Sequence, residues 1–234
     1  MGASGGIGRA LTREVAKSGA PSSIFALSRS NELIKGPSAS WLPIDFEDEQ
    51  SIASAAKTIQ DEVGCLHLVF VATGFLHDVD GLQPEKSLKN LTETSLLQSF
   101  RVNCIGPGLV AKHFVPLLDR NRKAAFAALS ARVGSISDNQ LGGWHSYRTA
   151  KAALNMLLKT ISIELRRQNT NALCVALHPG TVDTALSKPF QRAVPKEKLF
   201  STDRAARQLL AVLNDLTAED NGGFFAWDGA PIPF

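Results

Sequence analysis

The stretch GASGGIG, residues 2–8, constrains the fold of this chain more than any other part of the sequence. Glycine suits positions where the backbone turns tightly with positive φ and approaches a ligand closely. A helical pattern begins at about residue 7, and the free N–H groups at its start favour a pyrophosphate. A glycine-rich turn that only begins a helix is the alternative reading. The predicted contacts of a bound dinucleotide are Gly2, Ser4, Gly6, Ile7 and Gly8.

Beyond this loop, short apolar runs alternate with amphipathic stretches along the whole chain. Several runs are apolar at consecutive positions, which is typical of parallel strands covered on both faces. Because parallel neighbours need crossover helices, the pattern predicts an α/β fold. We expect one Rossmann-type, doubly wound, mostly parallel sheet with helices on both faces, in a single domain over 1–234. The predicted strands are 22–28, 40–46, 66–73, 124–130, 171–178 and 222–227; the predicted helices are about 7–18, 49–62, 94–118, 146–167 and 202–214.

The first strand of such a fold is missing or truncated in this sequence. A dinucleotide loop normally leaves the end of a central strand, and Met1 stands where the last residue of that strand is expected. Loss of a buried strand would leave backbone groups of its neighbours unpaired, at about 1–3 kcal/mol each. We therefore expect a start that is truncated or miscalled rather than a sheet without this strand.

A tyrosine and a lysine stand four residues apart in HSYRTAKAALNMLL, residues 145–158. Tyr147 is the only tyrosine of the chain, and Lys151 lies one helical turn after it on the same face. A nearby ammonium favours a phenolate, so Lys151 is expected to lower the pKa of Tyr147 and make it a general acid–base. A surface pair on an amphipathic helix is the alternative, and the glycine loop upstream argues against it.

Composition and charge exclude several classes of protein. The net charge of +3 is small and the basic residues are scattered, which argues against a nucleic-acid surface. No apolar run approaches the ~18 residues of a membrane span. Cys65, Cys104 and Cys174 lack metal-ligand spacing, so we expect reduced thiols, no metal and a cytoplasmic location.

The end of the predicted strand 22–28 bears on the choice of cofactor. Chains that bind NAD usually place an acid there for the ribose 2′-hydroxyl, whereas this strand ends in Ser28 and Arg29. A guanidinium is well shaped for a 2′-phosphate, so NADP(H) is expected in preference to NAD(H). An ordinary surface arginine is the alternative.

Taken together, these motifs resemble the short-chain dehydrogenase/reductase family over essentially the whole chain, apart from the first strand. Within the family, the chain is similar to the C-factor-like and sniffer-like carbonyl reductases. The resemblance rests on four blocks in order: GASGGIG, VNCIGP around Asn103, LSARVGSISDNQLGGWHSYRTAKAALNM, and the final GGFFAWDGAPIPF.

The resemblance implies roles for further residues. Asn103 corresponds to an asparagine that kinks its helix and holds a water in the proton relay. The Asp-Phe pair that closes the predicted strand 40–46 corresponds to adenine contacts, and the HPGTVDT segment to nicotinamide contacts. Without the family, a strand-end cap and a plain turn are the alternatives, and His178 is read as core packing. The implied cofactor contacts are Asp45, Phe46, Thr73, Gly74, Pro179, Gly180, Val182 and Thr184.

Two departures from the family pattern bear on activity. At the end of the predicted strand 66–73 the family usually has Asn-Asn-Ala-Gly, whereas residues 71–74 of this chain are Val-Ala-Thr-Gly. The substrate-orienting serine falls on Ala131, with Ser130 or Ser135 as possible substitutes, although Ser130 should point to the opposite side of its strand. Losing a donor to a developing alkoxide typically costs about 3 kcal/mol.

These observations lead to two hypotheses. The first is an NADPH-dependent reductase of an aldehyde or ketone, in which Tyr147 and Lys151 form the acid–base pair. The second is a non-catalytic or weakly active dinucleotide-binding signalling protein of C-factor type, which Ala131 supports. The segment from Ala185 to Leu199, expected over the substrate pocket, is mixed in character and identifies no substrate. A homodimer or homotetramer is implied by the resemblance only.

Overall fold

The computed structural model describes residues 1–30, 39–78 and 81–234, and strands and helices alternate along these ranges. None of the described helices is long and apolar enough to cross a membrane. The alternation confirms the predicted α/β class. The elements are α1 Gly6–Ser18, β1 Phe25–Ser28, β2 Ser40–Pro43, α2 Glu49–Val63, β3 Leu68–Val71, α3 Glu93–Phe100, α4 Gly106–Phe114, β4 Ala124–Leu129, α5 His145–Gln168, β5 Ala172–His178, β6 Thr181–Val182, β7 Leu199–Phe200, α6 Thr202–Asp215 and β8 Phe224–Ala226.

Parallel strands form the centre of the molecule. One sheet has the order β3-β4-β5-β8, and β1 pairs with β2 beside it. Every residue of β4 is buried, and Phe126 in its middle stands opposite Cys174 of β5. This continuous burial is the reason why β4 shows no alternation of polar and apolar residues.

Helices cover both faces of these strands. On one face α2, α4 and α5 enclose a core around Ile52, Phe114 and Leu154. On the other face α1 and α6 pack together, and Leu209 joins apolar side chains of β4 and β5. The two layers of helices confirm the doubly wound arrangement.

The first three residues lie between β1 and β3 without forming a described strand. The Met1 nitrogen donates to the Phe70 carbonyl, Ala72 N–H donates to the Met1 carbonyl, and Ala3 N–H donates to the Leu27 carbonyl. Next to these residues, the facing edges of β1 and β3 border a cavity of about 360 Å³, which we call the central groove. Its lining is mostly apolar and includes Val15, Phe25, Leu27, Val69, Phe70 and Phe114.

The predicted helix 94–118 is interrupted. After α3, residues Arg101–Ile105 form a π-helical turn, where Gly106 N–H bonds to the Arg101 carbonyl, and α4 follows. Pro107 has no N–H, so an uninterrupted α-helix would leave the Asn103 carbonyl without its partner. The wide turn buries Asn103 completely, in agreement with the kink that the resemblance implied.

Two further features differ from the sequence prediction. Strand β2 ends at Pro43, so Asp45 and Phe46 lie in the loop after it instead of closing the strand. A short parallel pair, β6 with β7, was not predicted. It joins the HPGTVDT segment to the end of the segment from Ala185 to Leu199, which the sequence placed over the substrate pocket, and two-residue strands are too short to give a periodic signal.

Candidate active site

Tyr147 and Lys151 lie in the first two turns of α5 and share one buried face. Tyr147 is 9% exposed and Lys151 is 2% exposed. The Lys151 Nζ atom lies 5.7 Å from the centroid of the Tyr147 ring. The structure therefore excludes an ordinary pair on a solvent-exposed helix face.

The ammonium of Lys151 is held by the end of β4. Its Nζ atom donates to the Leu129 carbonyl at 2.8 Å. A Cβ built on Gly134 would lie 2.7 Å from Lys151 Cβ, so the glycine allows the loop after β4 to approach α5. These contacts fix the positions of the Cβ and Nζ atoms of Lys151 in the site.

The protonation of this pair departs from the sequence expectation. Burial raises the pKa of Tyr147, whereas Lys151 was expected to lower it. Burial also lowers the pKa of Lys151 to about 7, with a small opposing effect of Cys104. Both shifts favour the neutral forms, because desolvation penalises each charged group.

Asn103 connects the π-helical turn to the loop after β3. Its Oδ1 accepts the Phe75 N–H at 3.0 Å, and its Nδ2 donates to the Phe75 carbonyl at 2.8 Å and to Ser99 Oγ at 3.2 Å. A Cβ on Gly74 would lie 3.8 Å from Asn103 Oδ1. The amide thus fixes the backbone that follows β3.

The glycine loop is packed too tightly for side chains at several positions. Gly2 has φ +75°, and a Cβ on Gly8 would lie 2.1 Å from the Gly2 carbonyl oxygen. A Cβ on Gly6 would lie 2.9 Å from Thr184 Cγ2, so the loop contacts the segment after β6. The structure therefore brings the loop and the HPGTVDT segment together.

The start of α1 and the buried hydroxyl of Thr73 fit the pyrophosphate of a dinucleotide. Helix α1 begins at Gly6 with no acidic residue in its first turn, so its positive end faces no carboxylate of its own. The Ser4 carbonyl accepts an Arg9 side-chain N–H at 3.0 Å, and Ile7 packs into the cores on either side of α1. Thr73 Oγ1, near Gly2, is buried with no hydrogen-bond partner among the described residues.

The residues expected at the adenosine end lie at the end of β1 and in the loops after β1 and β2. Ser28 is buried, and its hydroxyl accepts the Trp41 indole N–H, whereas Arg29 is exposed. Asp45 accepts the N–H of Glu47, and the Phe46 ring covers Gly106, where a Cβ would lie 2.0 Å from Phe46 Cδ2. Asp45 thus also has the capping contact that the sequence left as its alternative.

The segment after β5 turns sharply toward the glycine loop. Gly180 follows Pro179 and has φ +76°, and a Cβ there would meet the Phe200 ring at 2.7 Å. Val182 is buried and its carbonyl accepts the Ser187 hydroxyl, while Thr184 N–H donates to the same hydroxyl at 3.3 Å. Ser187 therefore fixes the backbone on which Val182 and Thr184 stand.

The serines proposed to replace the missing serine are bonded elsewhere. The buried Ser130 hydroxyl donates to Asn155 Oδ1 at 2.6 Å, which uses its single hydrogen. Ser135 is buried as well, and its hydroxyl accepts the Asp138 N–H. The bond to Asn155 opposes the catalytic role assigned to Ser130. Strand alternation, which directs the Ser130 side chain away from that of Ala131, opposes this role as well.

An aromatic group beside Tyr147 was missed in the sequence. The Trp144 ring lies edge-on to Tyr147 with centroids 6.2 Å apart, and Phe190 lies 5.0 Å from Trp144. The ring of His77 packs on Phe190, and its Nε2 atom lies within hydrogen-bond distance of the Ala185 and Leu186 carbonyls. The Gly-Gly pair before Trp144 was the only local signal of this turn.

Together, the parallel sheet, the glycine cradle and the buried tyrosine–lysine pair define a dinucleotide-dependent oxidoreductase of the Rossmann class. The sequence profile of the short chain dehydrogenase family matches residues 1–195. The chain belongs to this family and is an NAD(P)-dependent enzyme.

Individual relatives are similar along much of the chain. An uncharacterised oxidoreductase of Schizosaccharomyces pombe is 26% identical over 251 residues and covers 100% of this chain and 96% of that protein. The 1-hydroxy-2-glutathionyl-2-methyl-3-butene dehydrogenase of a Rhodococcus species is 30% identical, over 80% of this chain and 76% of its own. C-signal of Myxococcus xanthus is 30% identical, over 63% of this chain and 84% of its own.

Solved structures share the fold. The NADPH-bound carbonyl reductase from chicken fatty liver has a TM-score of 0.86 and 27% identity, and covers 100% of this chain and 96% of its own. Carbonyl reductase Sniffer of D. melanogaster has a TM-score of 0.85 and 24% identity, and the match covers 100% of this chain and 97% of the Sniffer chain.

Proposed function

We propose that this enzyme reduces a carbonyl group of an aldehyde or ketone with NADPH. The observation that carries the proposal is the buried Tyr147 hydroxyl group with the Lys151 amino group one helical turn away. Support also comes from the chicken enzyme, a carbonyl reductase with NADPH bound, at 27% identity over the whole chain.

In the proposed reaction Tyr147 is the general acid. A nicotinamide cofactor held by the glycine loop and the HPGTVDT segment would supply the hydride. The Tyr147 hydroxyl donates its proton to the carbonyl oxygen, and Lys151 in its protonated form stabilises the phenolate that remains. Burial raises the pKa of Tyr147, which keeps its hydroxyl protonated but makes it a weaker acid, so proton transfer depends on the charge of a protonated Lys151 beside it.

The substrate oxygen lacks the serine hydroxyl that family members usually place beside the tyrosine. Ala131 occupies that position, and Ser130 donates to Asn155 instead. A single donor polarises a carbonyl less than two donors do, at a cost of about 3 kcal/mol in the transition state. We therefore expect aldehydes and activated ketones to react faster than unactivated ketones.

The cofactor contacts remain part of the proposal. The glycine loop and the N-terminus of α1 would hold the pyrophosphate, and Arg29 the 2′-phosphate, which gives the preference for NADP(H). Asp45 and Phe46 would contact the adenine, and Thr73 and Gly74 would lie nearby. Pro179, Gly180, Val182 and Thr184 would contact the nicotinamide, and Asn103 would support the proton relay.

We also propose a homodimer or homotetramer. Met156 and Ile163 are seven residues apart on α5 and are 68% and 51% exposed, and Leu97 and Ile105 on the preceding helical segment are also exposed. Residues seven apart lie on one helix face, which gives α5 an apolar face suited to a second copy. The cytoplasm remains the expected location, because three unpaired thiols fit a reducing compartment.

Substitution of Tyr147 by phenylalanine tests the proposal. The ring and its packing on Trp144 remain, whereas the proton donor is lost. We expect kcat for a panel of aldehydes and ketones to fall by ~10²–10⁴-fold. NADPH affinity, measured by calorimetry, should stay nearly unchanged.

Thr160→Val is the matched control, since it removes an exposed hydroxyl group from the same helix far from Tyr147. It should keep wild-type kcat. Full activity of Tyr147→Phe, or no carbonyl turnover by a wild-type protein that binds NADPH, would refute the proposed function.

A further inference from the structure

A buried carboxylate lies near the site but belongs to none of the residues discussed above. Glu85 stands between β3 and α3, and only 4% of it is exposed. Glutamates are rarely buried to this extent unless they are paired or hydrogen-bonded. The hydrogen bonds of Glu85 therefore indicate its role in the structure.

Glu85 is tied to the first turn of α5. Ser146 donates its backbone N–H to Oε2 of Glu85 at 3.2 Å, and the Ser146 hydroxyl donates to Oε1. The backbone carbonyl of Glu85 accepts the N–H of Trp144. Tyr147 follows directly after the residue that Glu85 holds.

The start of α5 has no cap of its own. Trp144 precedes the helix in a left-handed conformation, with φ 50° and ψ 44°, and its side chain makes no capping bond. The first N–H groups of a helix lack partners within the helix and carry partial positive charge. The carboxylate of Glu85 supplies the missing acceptor from a distant part of the sequence.

A second set of bonds holds the same serine from α3 and the turn after it. The hydroxyl groups of Ser95 and Ser146 are 3.0 Å apart, and the Ser99 hydroxyl donates to the Ser146 carbonyl at 3.1 Å. Asn103 donates to Ser99 Oγ. The network thus joins Glu85 to both the tyrosine helix and Asn103.

The surroundings keep Glu85 charged. Burial opposes ionisation, but hydrogen bonds from the hydroxyl groups of Ser146 and Ser95 and from backbone N–H groups outweigh it and lower the pKa of Glu85. Charge-assisted hydrogen bonds are about twice as strong as neutral ones. The ionised form therefore holds the first turn of α5 more firmly than a neutral amide would.

We propose that Glu85 is a positioning residue for Tyr147, which it holds in place by anchoring Ser146 at the start of α5. The inference rests on the proposed function where turnover is its readout. Glu85 acts through Ser146 and takes no proton from the substrate. Misplacement of a reacting group by 1 Å costs as much as ~10²-fold in rate, so loss of the anchor affects catalysis more than cofactor binding.

Glu85→Gln and Ser146→Ala test this role. The glutamine keeps the size of the side chain but has an N–H₂ group where Ser146 requires an acceptor. We expect each variant to lower kcat by about 10-fold to 100-fold, with the Kd for NADPH unchanged. The double variant should be no slower than the slower single variant, because both changes break the same link.

Glu62→Gln is the matched control, since it neutralises an exposed glutamate on α2, and it should retain wild-type kcat. Wild-type kcat in Glu85→Gln would overturn the proposal. So would losses in the two single variants that multiply in the double variant, or a Kd for NADPH that weakens in step with kcat.

Amide hydrogen exchange separates this inference from the proposed function. In the cofactor-free protein, amides in residues 144–150 should exchange faster in Glu85→Gln than in wild type or Glu62→Gln. If wild type reduces no carbonyl but exchange is faster, the proposed function fails and the anchoring role stands. Unchanged exchange in residues 144–150 overturns the anchoring role itself.

Discussion

Lys151 and Tyr147 are both buried, and burial acts on their protonation in opposite directions. The pKa of Tyr147 rises and that of Lys151 falls to about 7, so the uncharged pair prevails at slightly alkaline pH. Their sequence spacing correctly predicted a shared face. It could not predict the desolvation, which depends on β4 and on the loop after it.

The lowered pKa of Lys151 predicts a specific pH dependence of stability. In the unfolded chain the pKa is the ordinary 10.5, so the unfolded state binds more protons between pH 7 and 10.5. The free energy of unfolding therefore rises with pH in this window. Below pH 7 the folded protein carries the full cost of burying the charged Lys151 side chain. Between pH 7 and pH 9 we expect the free energy of unfolding, measured with urea, to rise by up to ~2 kcal/mol.

Lys151→Met is the comparison for that measurement, because it removes the titrating group and keeps much of the packing. The difference between the two proteins should shrink as the pH rises. An identical pH dependence in both would show that Lys151 remains fully charged in the folded protein.

Arg29 predicts the choice between the two nicotinamide cofactors. It is exposed at the end of β1, and no acidic residue follows the buried Ser28 there. Loss of a charge-assisted fork to a phosphate costs ~1.5–3 kcal/mol, so Arg29→Ala should weaken NADPH by about 10-fold to 100-fold. Calorimetry should find NADH binding almost unchanged.

Arg167→Ala, at an exposed arginine near the end of α5, provides the control and should affect neither cofactor. Equal weakening of NADPH and NADH by Arg29→Ala would argue against a contact with the 2′-phosphate.

At the scale of elements, the turn from residue 2 into α1 depends on Gly8. A Cβ there would lie 2.1 Å from the Gly2 carbonyl oxygen and 2.8 Å from its carbon, both backbone atoms. Overpacking of this kind costs ~1–3 kcal/mol, so Gly8→Ala should weaken NADPH binding about tenfold or more and lower the Tm. Calorimetry and thermal unfolding measure the two effects.

Gly5→Ala belongs to the same loop and is a graded control. Its Cβ would lie 3.3 Å from the same Gly2 oxygen, so a small adjustment accommodates it. A Gly8→Ala protein that binds NADPH as well as Gly5→Ala does would mean that the loop is not held in this conformation.

The elements that sequence reasoning found are those with strong local signals. Continuous apolar runs predicted β4 and β5, and amphipathic periodicity predicted α5 and α6 within one or two residues. The β6–β7 pair and the anchor from Glu85 to Ser146 were missed, because each depends on residues that are distant in sequence. The family resemblance implied a kink at Asn103, and the structure shows it as a π-helical turn, which the missing N–H of Pro107 explains.

At the scale of the whole molecule, one domain over 1–234 stays a prediction, and so does the assembly of subunits. The exposed apolar face on α5 predicts that Met156→Glu with Ile163→Glu lowers the molar mass measured by light scattering. In a two-fold interface each substitution occurs on both subunits, so the new charges face each other or are buried unpaired.

Leu88→Glu is the control for this experiment, because Leu88 is 70% exposed but lies outside α5. It should keep the wild-type mass. Subunit assembly that survives both substitutions on α5 would place the interface elsewhere.

The central groove leaves the facing edges of β1 and β3 accessible to a further segment. The edges of β1 and β3 face each other across an apolar space, and Met1 and Ala3 already bond to both sides at one end. A short parallel segment supplied there by protein engineering would join the two groups of strands and extend directly into the glycine loop. Because such a segment would cover apolar side chains and pair free backbone groups, it is expected to raise the melting temperature, so the groove offers a place to stabilise the chain by insertion.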